Sequence, residues 1–163
     1  MPGPRAFFLA DETATIALGA ALARLAGPRV VFALNGPLGA GKTCLARGLI
    51  EALQPVDAEE VVSPTFTLVQ TYPTAAGAVW HFDLYRLKHP DEVLELGLED
   101  ALAEGIAVIE WPERLGPWLP RNRIDVTLAQ DGTGRHATVT GHGKLADAVA
   151  AWQPRLPETS GAT

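Results

Sequence analysis

The sequence predicts an α/β fold, in which strands and helices alternate along a single domain. First, an apolar run at residues 30–34 leads into the glycine-rich stretch 36–43, and a helical pattern continues to about Leu53. Second, residues 106–109 are all apolar, as is typical of a parallel strand buried on both faces. Third, the chain has 163 residues and is 47% hydrophobic, which is enough for one sizeable core. We therefore expect a three-layer domain over residues 1–156, with a mixed, mostly parallel central sheet flanked by helices.

The first helix is predicted over residues 11–26, where apolar side chains recur at helical spacing. Asp11 or Thr13 can cap its first turn, because a short polar side chain there accepts a hydrogen bond from a free backbone N–H. The Gly27–Pro28 pair ends this helix. The apolar strand and the glycine-rich stretch follow, and Pro55 closes the second helix because proline cannot continue it.

The middle of the chain predicts a hairpin and then a helix. Residues 61–69 contain a Ser-Pro step, which favours a turn or an extended entry, and continue with β-prone side chains. A turn at Gly77 and a returning strand over residues 78–84 complete the hairpin. Apolar side chains at helical spacing then predict a helix over residues 91–104, which Gly97 weakens.

The last third of the chain adds a second hairpin, whose turn is marked by the Asp131–Gly132 pair. The remaining predicted elements are the buried strand (106–109), a loop with a short helical piece (112–120), the two hairpin strands (124–128 and 136–140), a closing helix (145–152) and a disordered tail (157–163).

Composition argues against several kinds of binding and metal site. The formal net charge is −6, whereas a protein that grips nucleic acid alone usually carries a basic face. The single cysteine, Cys44, excludes an internal disulfide and a cysteine zinc cluster, and we interpret it as a small core residue. The histidines lack the spacing of metal ligands, so we assign them structural roles and expect no zinc. They are His81, His89, His136 and His142.

The chain also lacks signals for a membrane. No apolar stretch approaches the roughly 20 residues that a spanning helix needs. The start of the sequence has no long apolar core of the kind found in signal peptides. The cytoplasm is therefore the expected compartment.

Residues 36–43 match the phosphate-loop pattern GxxxxGK[ST]. The glycines let the backbone turn tightly and bring its N–H groups close to a phosphate chain. Lys42 can reach the β- and γ-phosphates, and the Thr43 hydroxyl can ligate Mg²⁺. The next helix points its N-terminus, which carries partial positive charge, at the phosphates. The residues assigned to ATP or ADP binding here are Gly36, Pro37, Leu38, Gly39, Ala40, Gly41, Lys42, Thr43 and Cys44.

A phosphate loop also needs an acid for Mg²⁺ and a group that orients the attacking water. Glu110 follows the buried strand and so lies at the carboxyl edge of the sheet, where ligands of open α/β sheets bind. Asp83 lies near the end of another strand and can converge on the same site. We assign Glu110 to Mg²⁺, directly or through water, and Asp83 to positioning or deprotonating the water, although the reversed roles fit equally. Lys42 completes the catalytic set.

Four further residues are candidates at this site. Thr65 lies in a segment that can fold over the phosphates, where a hydroxyl can sense the γ-phosphate or Mg²⁺. Trp111 directly follows Glu110 and either lines the nucleotide pocket or packs in the core. Arg86 and Arg114 are candidate stabilisers of transition-state charge, although such arginines are more often solvated or bind a partner.

Several motifs occur in a fixed order: GPLGAGKT (36–43), SPTFTLVQTY (63–72), HFDLYRL (81–87), ELGLED (95–100) and IEWPER (109–114). With this combination the chain resembles the TsaE family, the small ATPase of the bacterial system that makes threonylcarbamoyladenosine in tRNA. The resemblance covers roughly residues 10–140. It departs at Pro37–Leu38, where the family commonly has an acidic residue after the first glycine, and this leaves the phosphate-loop chemistry intact.

The resemblance implies a compact P-loop NTPase fold and Mg²⁺-dependent ATP hydrolysis that is weak in the isolated chain. It implies two partners similar to TsaB and TsaD, which transfer a threonylcarbamoyl group to A37 of ANN-decoding tRNAs. The ATPase is expected to bind and reset that complex, so tRNA is an indirect partner. Residues that match the family's phosphate, magnesium, switch and other site positions are Lys42, Thr43, Thr65, Asp83, Glu110 and Trp111.

Two other functions fit parts of the sequence. A small-molecule kinase of the P-loop class has this length and loop, and the arginines of residues 112–123 are compatible with a lid. A binding module whose nucleotide acts only as a switch is the second alternative. The chain has no Asn-Lys-x-Asp string for reading guanine, so we favour ATP over GTP.

Overall fold

The computed structural model describes residues 3–156 of the chain, so the predicted tail at 157–163 lies outside the described residues. The strands are β1 (Arg5–Leu9), β2 (Val31–Asn35), β3 (Val69–Tyr72), β4 (Val79–Asp83), β5 (Ile106–Glu110), β6 (Arg123–Asp131) and β7 (Gly134–His142). The helices are α1 (Glu12–Leu22), α2 (Lys42–Leu53), α3 (Glu92–Glu95), α4 (Leu98–Glu104) and α5 (Ala146–Ala151). Short 3₁₀ helices cover Ala23–Leu25, Pro112–Trp118 and Gly143–Leu145.

Within residues 3–156 the strands form one seven-stranded sheet in the order β1-β7-β6-β2-β5-β4-β3. The four adjacent strands β6, β2, β5 and β4 are parallel. The outer strands add antiparallel pairs at both sides. Because β1 is antiparallel to β7, it runs in the same direction as the parallel centre, so five of the seven strands share one direction. The predicted α/β fold with a mixed, mostly parallel sheet is confirmed.

Two apolar clusters cover the two faces of this sheet, which makes the domain three-layered. Phe32 and Leu34 of β2 pack with α1, α2 and α5 on one face. Val31, on the same strand, packs with α3 and α4 on the other face. Strand β5 alternates in the same way and all five of its residues are buried. A central parallel strand needs apolar side chains on both faces, and the continuous apolar runs satisfy this need.

The structure differs from the sequence prediction at three elements. In the β-prone stretch predicted to start the first hairpin, residues 65–67 form a turn and β3 begins only at Val69. Strand β1 was not predicted, because it is only five residues long, lies at the sheet edge and leaves Phe8 exposed. The helix predicted over residues 91–104 is divided into α3 and α4 at Gly97, which has φ +91°. A Cβ at Gly97 would approach the Trp80 ring to 2.7 Å, so packing and backbone conformation both favour glycine there.

Helices α1 and α2 pack through a pair of glycines, Gly19 and Gly48. A Cβ at Gly48 would clash with the backbone carbonyl of Ile16, and one at Gly19 would clash with the carbonyl of Leu45. The two backbones therefore approach each other more closely than alanine allows. Across the described residues no helix is both long and apolar enough to cross a bilayer.

We expect Gly48→Ala to destabilise the protein, because the clash is with backbone that cannot move aside. Overpacking costs about 1–3 kcal/mol, which outweighs the gain of up to about 1 kcal/mol from the better helix propensity of alanine. Thermal unfolding measures the effect, since each kcal/mol lowers Tm by about 2–4 °C in a domain of this size. Gly27→Ala is the control, because a Cβ at Gly27 meets nothing within 4 Å. An equal Tm for the two variants would contradict the close approach.

Candidate active site

The glycine-rich stretch forms a loop between the end of β2 and the start of α2. Gly36, Gly39 and Gly41 have φ values of +148°, +77° and +100°, which a residue with a Cβ rarely adopts. Gly36 is also tightly placed, since a Cβ there would lie 2.6 Å from the carbonyl oxygen of Leu128. Helix α2 begins directly after Gly41, so its free N–H groups face the loop. The strand, loop and helix predicted for phosphate binding are all present.

A cavity of about 310 Å³ lies in front of this loop. It is lined by Leu38, Gly39, Ala40, Gly41, Lys42, Thr43, Cys44, Thr65, Asp83, Tyr85, Glu110, Trp111 and Arg135. Of the residues assigned from the sequence to nucleotide, magnesium or catalysis, all except Gly36 and Pro37 belong to this lining. Gly36 contributes instead through its carbonyl oxygen, which accepts a hydrogen bond from Lys42 Nζ.

Glu110 is buried at the end of β5 and contacts the loop directly. Its Oε1 accepts a hydrogen bond of 2.9 Å from the Thr43 hydroxyl. Its Oε2 lies 2.7 Å from Nε2 of His81. Oxygens at adjacent positions of an octahedral Mg²⁺ are about 2.9 Å apart, because the Mg–O bonds are about 2.0–2.1 Å long. The oxygens of Thr43 and Glu110 therefore have the chemistry and the spacing of two Mg²⁺ ligands.

Asp83 is the register partner of Glu110 across the parallel pair β4–β5. It is only 6% exposed. Its Oδ2 accepts a hydrogen bond of 3.2 Å from the Thr65 hydroxyl, and its Oδ1 accepts one of 3.1 Å from the backbone N–H of Tyr85. The predicted convergence of the two acids is thus present in the structure. They differ in their partners, because Glu110 contacts the loop threonine and Asp83 contacts the threonine of residues 61–68.

Lys42 is 5% exposed and lies beneath an aromatic side chain. Its Nζ is 3.2 Å from the ring centroid of Trp111, close enough for a cation–π interaction. Burial lowers the pKa of Lys42 from its usual value, while the negative charges of Glu110, Glu113 and Asp83 oppose that shift. The sequence allowed Trp111 either to line the nucleotide pocket or to pack in the core, and the structure shows both: its side chain lines the cavity and packs against the apolar cluster of α3 and α4. Its backbone is left-handed.

Cys44 was interpreted as a small core residue, and this interpretation is wrong. The residue is half-buried and lines the cavity, whereas Leu45 and Ala46 fill the core behind it. Burial raises the pKa of the Cys44 thiol, and the nearby carboxylate of Glu12 raises it further.

His81 belongs to the site, although the sequence assigned it only a structural role. It is fully buried and its ring holds the second oxygen of Glu110. Strand alternation was the signal that could have identified it, since His81 and Asp83 lie two residues apart on β4. By contrast, Arg86 and Arg114 are exposed and do not line the cavity.

Arg135 was missed, because nothing in its local sequence distinguishes it. It lies on β7, and its side chain reaches the phosphate loop. Only the order of strands in the folded sheet brings these two distant segments together.

Comparisons with known proteins show which family this chain resembles in sequence and in fold. The model of the family described as threonylcarbamoyl adenosine biosynthesis protein TsaE matches residues 9–137. A TsaE of Rickettsia bellii is 42% identical over 120 residues, which cover 74% of this chain and 83% of the relative. A TsaE of Nostoc sp. is 42% identical over 139 residues, covering 82% and 83% of the two chains. Both relatives are described as tRNA threonylcarbamoyladenosine biosynthesis proteins. The crystal structure of Bacillus subtilis YdiB matches with a TM-score of 0.70 and 26% identity over 91% of this chain and 93% of that one.

Proposed function

This chain belongs to the TsaE family, and on that premise we propose that it is a Mg²⁺-dependent ATPase that drives threonylcarbamoyladenosine modification of tRNA. The role in that modification follows from the family and its relatives. The hydrolysis of ATP is our proposal. The observation that supports it most strongly is the contact of Glu110 with Thr43 at the mouth of the phosphate loop, with Asp83 in register beside it.

Each polar residue of the cavity has a separate task in this proposal. The loop N–H groups and the N-terminus of α2 bind the phosphate chain, and Lys42 binds its β- and γ-oxygens. Thr43 and Glu110 are the residues that would hold Mg²⁺, and the ion would supply positive charge against the phosphate oxygens. His81 keeps the Glu110 carboxylate turned towards Thr43 by holding its other oxygen.

Asp83 orients the attacking water and accepts its proton. Its carboxylate is held from two sides, by the Thr65 hydroxyl and the Tyr85 N–H, so its direction is fixed before nucleotide binds. Thr65 lies outside the sheet strands, in the segment that precedes β3. Binding of the γ-phosphate can therefore be sensed through Thr65 and transmitted to Asp83.

We further propose that the isolated chain hydrolyses ATP slowly and that TsaB-like and TsaD-like partners complete its site. An arginine finger is worth roughly 10³–10⁵ in rate. Neither Arg86 nor Arg114 lines the cavity, so neither supplies that charge in this structure. In this scheme ATP promotes binding to the partner complex, hydrolysis resets the complex, and tRNA contacts the partners in the cytoplasm.

The test measures ATP turnover by the purified chain, with and without the two partner proteins and with and without Mg²⁺. We expect slow, Mg²⁺-dependent release of one phosphate per ADP, accelerated at least tenfold by the partners. A pull-down with ATP, ADP or no nucleotide should show the strongest capture of the partners with ATP. Transfer of phosphate to a metabolite instead of water would point to the kinase alternative. Equal rates with and without the partners would contradict the coupling.

A further inference from the structure

We propose that Tyr72 is a positioning residue for ATP hydrolysis, which tethers the segment 61–68 so that Thr65 stays in contact with Asp83. Tyr72 belongs to β3 and does not line the cavity. The inference rests on the proposed function, because it takes Asp83 as the group that orients the attacking water. It goes beyond that function by giving a task to a residue that lies outside the nucleotide site.

The first observation is the double hydrogen bond of the Tyr72 hydroxyl. This group accepts a hydrogen bond of 3.1 Å from the N–H of Val62 and donates one of 3.2 Å to the carbonyl oxygen of the same residue. The Tyr72 side chain is buried in the apolar cluster of α1 and α2, so the hydroxyl is itself held in place. Within residues 3–156, the backbone of residues 61–67 makes no other hydrogen bond outside the segment 61–68.

The second observation is that the opposite end of the segment is fixed at Leu68. Its carbonyl oxygen accepts a hydrogen bond of 3.0 Å from the N–H of Asp83, and its own N–H donates one of 2.7 Å to the carbonyl oxygen of Pro64. Leu68 has φ +69°, which a residue other than glycine rarely adopts. Such a conformation persists only where the surrounding structure holds it. The turn that carries Thr65 therefore lies between two anchors, Val62 and Leu68.

The third observation is a path of bonds from the first anchor to the carboxylate. Ser63 follows Val62 directly, and its hydroxyl oxygen lies 2.7 Å from that of Thr65. The Thr65 hydroxyl donates a hydrogen bond of 3.2 Å to Oδ2 of Asp83. Because a hydroxyl has one proton to donate, Ser63 is the donor to Thr65. The position of Val62 therefore determines where the Thr65 hydroxyl meets Asp83.

Tyr72 acts on the reaction from a distance. It pairs with Val79, the first residue of β4, whereas Asp83 is the last residue of that strand. The two ends of β4 lie roughly 13 Å apart, since a strand rises about 3.3 Å per residue. Any effect of the Tyr72 hydroxyl on hydrolysis therefore passes through the segment that it holds.

Loss of this hydroxyl should slow hydrolysis and leave the binding of ADP unchanged. In the proposed function, ADP is held by the phosphate loop and the N-terminus of α2, and the contact of Thr65 with Asp83 serves the attack on the γ-phosphate. Tyr72→Phe keeps the buried ring. Val62 is exposed, so its backbone groups can bond to water when the hydroxyl is removed, and the cost in stability is small.

The experiment compares Tyr72→Phe with the matched control Thr74→Val. The Thr74 hydroxyl also bonds two backbone groups, the carbonyl of Gly77 and the N–H of Ala76, but it holds the turn between β3 and β4. We expect Tyr72→Phe to lower kcat about 3- to 10-fold, the effect of one neutral hydrogen bond, and to keep Kd for ADP within about twofold. Thr74→Val should change neither. Hydrogen exchange without nucleotide should be faster over residues 61–68 in Tyr72→Phe alone.

A double-mutant cycle tests whether Tyr72 acts through the proposed path. Ser63→Ala removes the hydroxyl that links Val62 to Thr65, and we expect a loss of kcat similar to that of Tyr72→Phe. Because both changes interrupt one path, the double variant should be slower than either single variant by less than about twofold. Independent, purely structural effects would multiply instead.

Three results would overturn the inference. They are unchanged kcat in Tyr72→Phe, multiplied losses in the double variant, and an equal fall of kcat in Thr74→Val. Circular dichroism and Tm check that the variants are folded. If Tyr72→Phe is not, Ser63→Ala decides, because wild-type kcat in that variant contradicts the path. A wild-type chain that neither binds nor hydrolyses ATP would overturn the proposed function as well, whereas equal turnover by wild type and Tyr72→Phe would overturn this inference alone.

Discussion

Replacing Lys42 by alanine is expected to abolish ATP hydrolysis while leaving the fold intact. The ammonium group contacts the Gly36 carbonyl of the phosphate loop and the ring of Trp111, which lines the cavity. We therefore expect it to contribute to nucleotide binding more than to the stability of the core. Its loss would remove the positive charge that we propose binds the β- and γ-phosphates. Removal of one such group from a preorganised site costs about 10²–10³ in rate, or about 2.7–4 kcal/mol, and we expect at least this loss in kcat/KM.

The stability of this variant should not fall. Burial already disfavours the charged form of Lys42, which is why its pKa is lowered, so removal of the charge also removes a desolvation cost. The measurements are kcat/KM for ATP and Tm without nucleotide. Lys144→Ala is the matched control, because it removes an exposed lysine that does not line the cavity. Normal hydrolysis by Lys42→Ala would show that the cavity is not where ATP reacts.

The two acids should fail in different ways when each is made neutral. Asp83→Asn keeps the shape of the side chain and its contacts with Thr65 and Tyr85, yet it cannot take a proton from water. We expect nucleotide affinity to persist while kcat falls by about 10²–10⁴, the range for loss of a general base. Glu110→Gln removes a charge beside Thr43, so we expect a higher Mg²⁺ concentration for half-maximal activity and weaker Mg²⁺-dependent binding of nucleotide.

The readouts are Kd for the ATP analogue at several Mg²⁺ concentrations and kcat at saturating Mg²⁺. Glu104→Gln and Asp131→Asn serve as controls, since both acids are exposed and belong to no part of the cavity. An Asp83→Asn variant that loses Mg²⁺-dependent binding, with a Glu110→Gln variant that keeps it, would reverse the two assignments. Full activity in both variants would remove both acids from the mechanism.

Local features of the sequence were sufficient to predict the centre of the fold and most of the cavity. The phosphate loop is a contiguous string, so its glycines, Lys42 and Thr43 can be read in order. The two acids could be placed because parallel strands bring their carboxyl ends to one edge of the sheet. Their contacts with Thr43 and Thr65 agree with that reasoning.

Features that depend on distant parts of the chain could not be predicted in this way. Strand β1 has a short, half-exposed pattern, and its position is fixed by pairing with β7 at the far end of the sequence. Arg135 reaches the loop because β7 lies only two strands from β2 in the sheet, with β6 between them. Gly97 marked a weak point of the predicted helix, but its close approach to Trp80, a residue on a strand that precedes the helix, could not be predicted. In each case contacts between residues far apart in the sequence determine the structure, and the local sequence pattern does not contain that information.

The glycine pair between α1 and α2 has a consequence for genetic studies of this protein. Helix α2 starts at Lys42, and any shift of its axis moves the amides that we propose bind phosphate. A random mutagenesis screen for loss of activity should therefore recover inactivating changes at Gly19 and Gly48, which lie between the helices and not in the cavity lining. Taken at face value, such alleles would map a second functional surface on the far side of the helix. Their cause would in fact be the close packing of α1 and α2, which leaves no room for a side chain at either glycine.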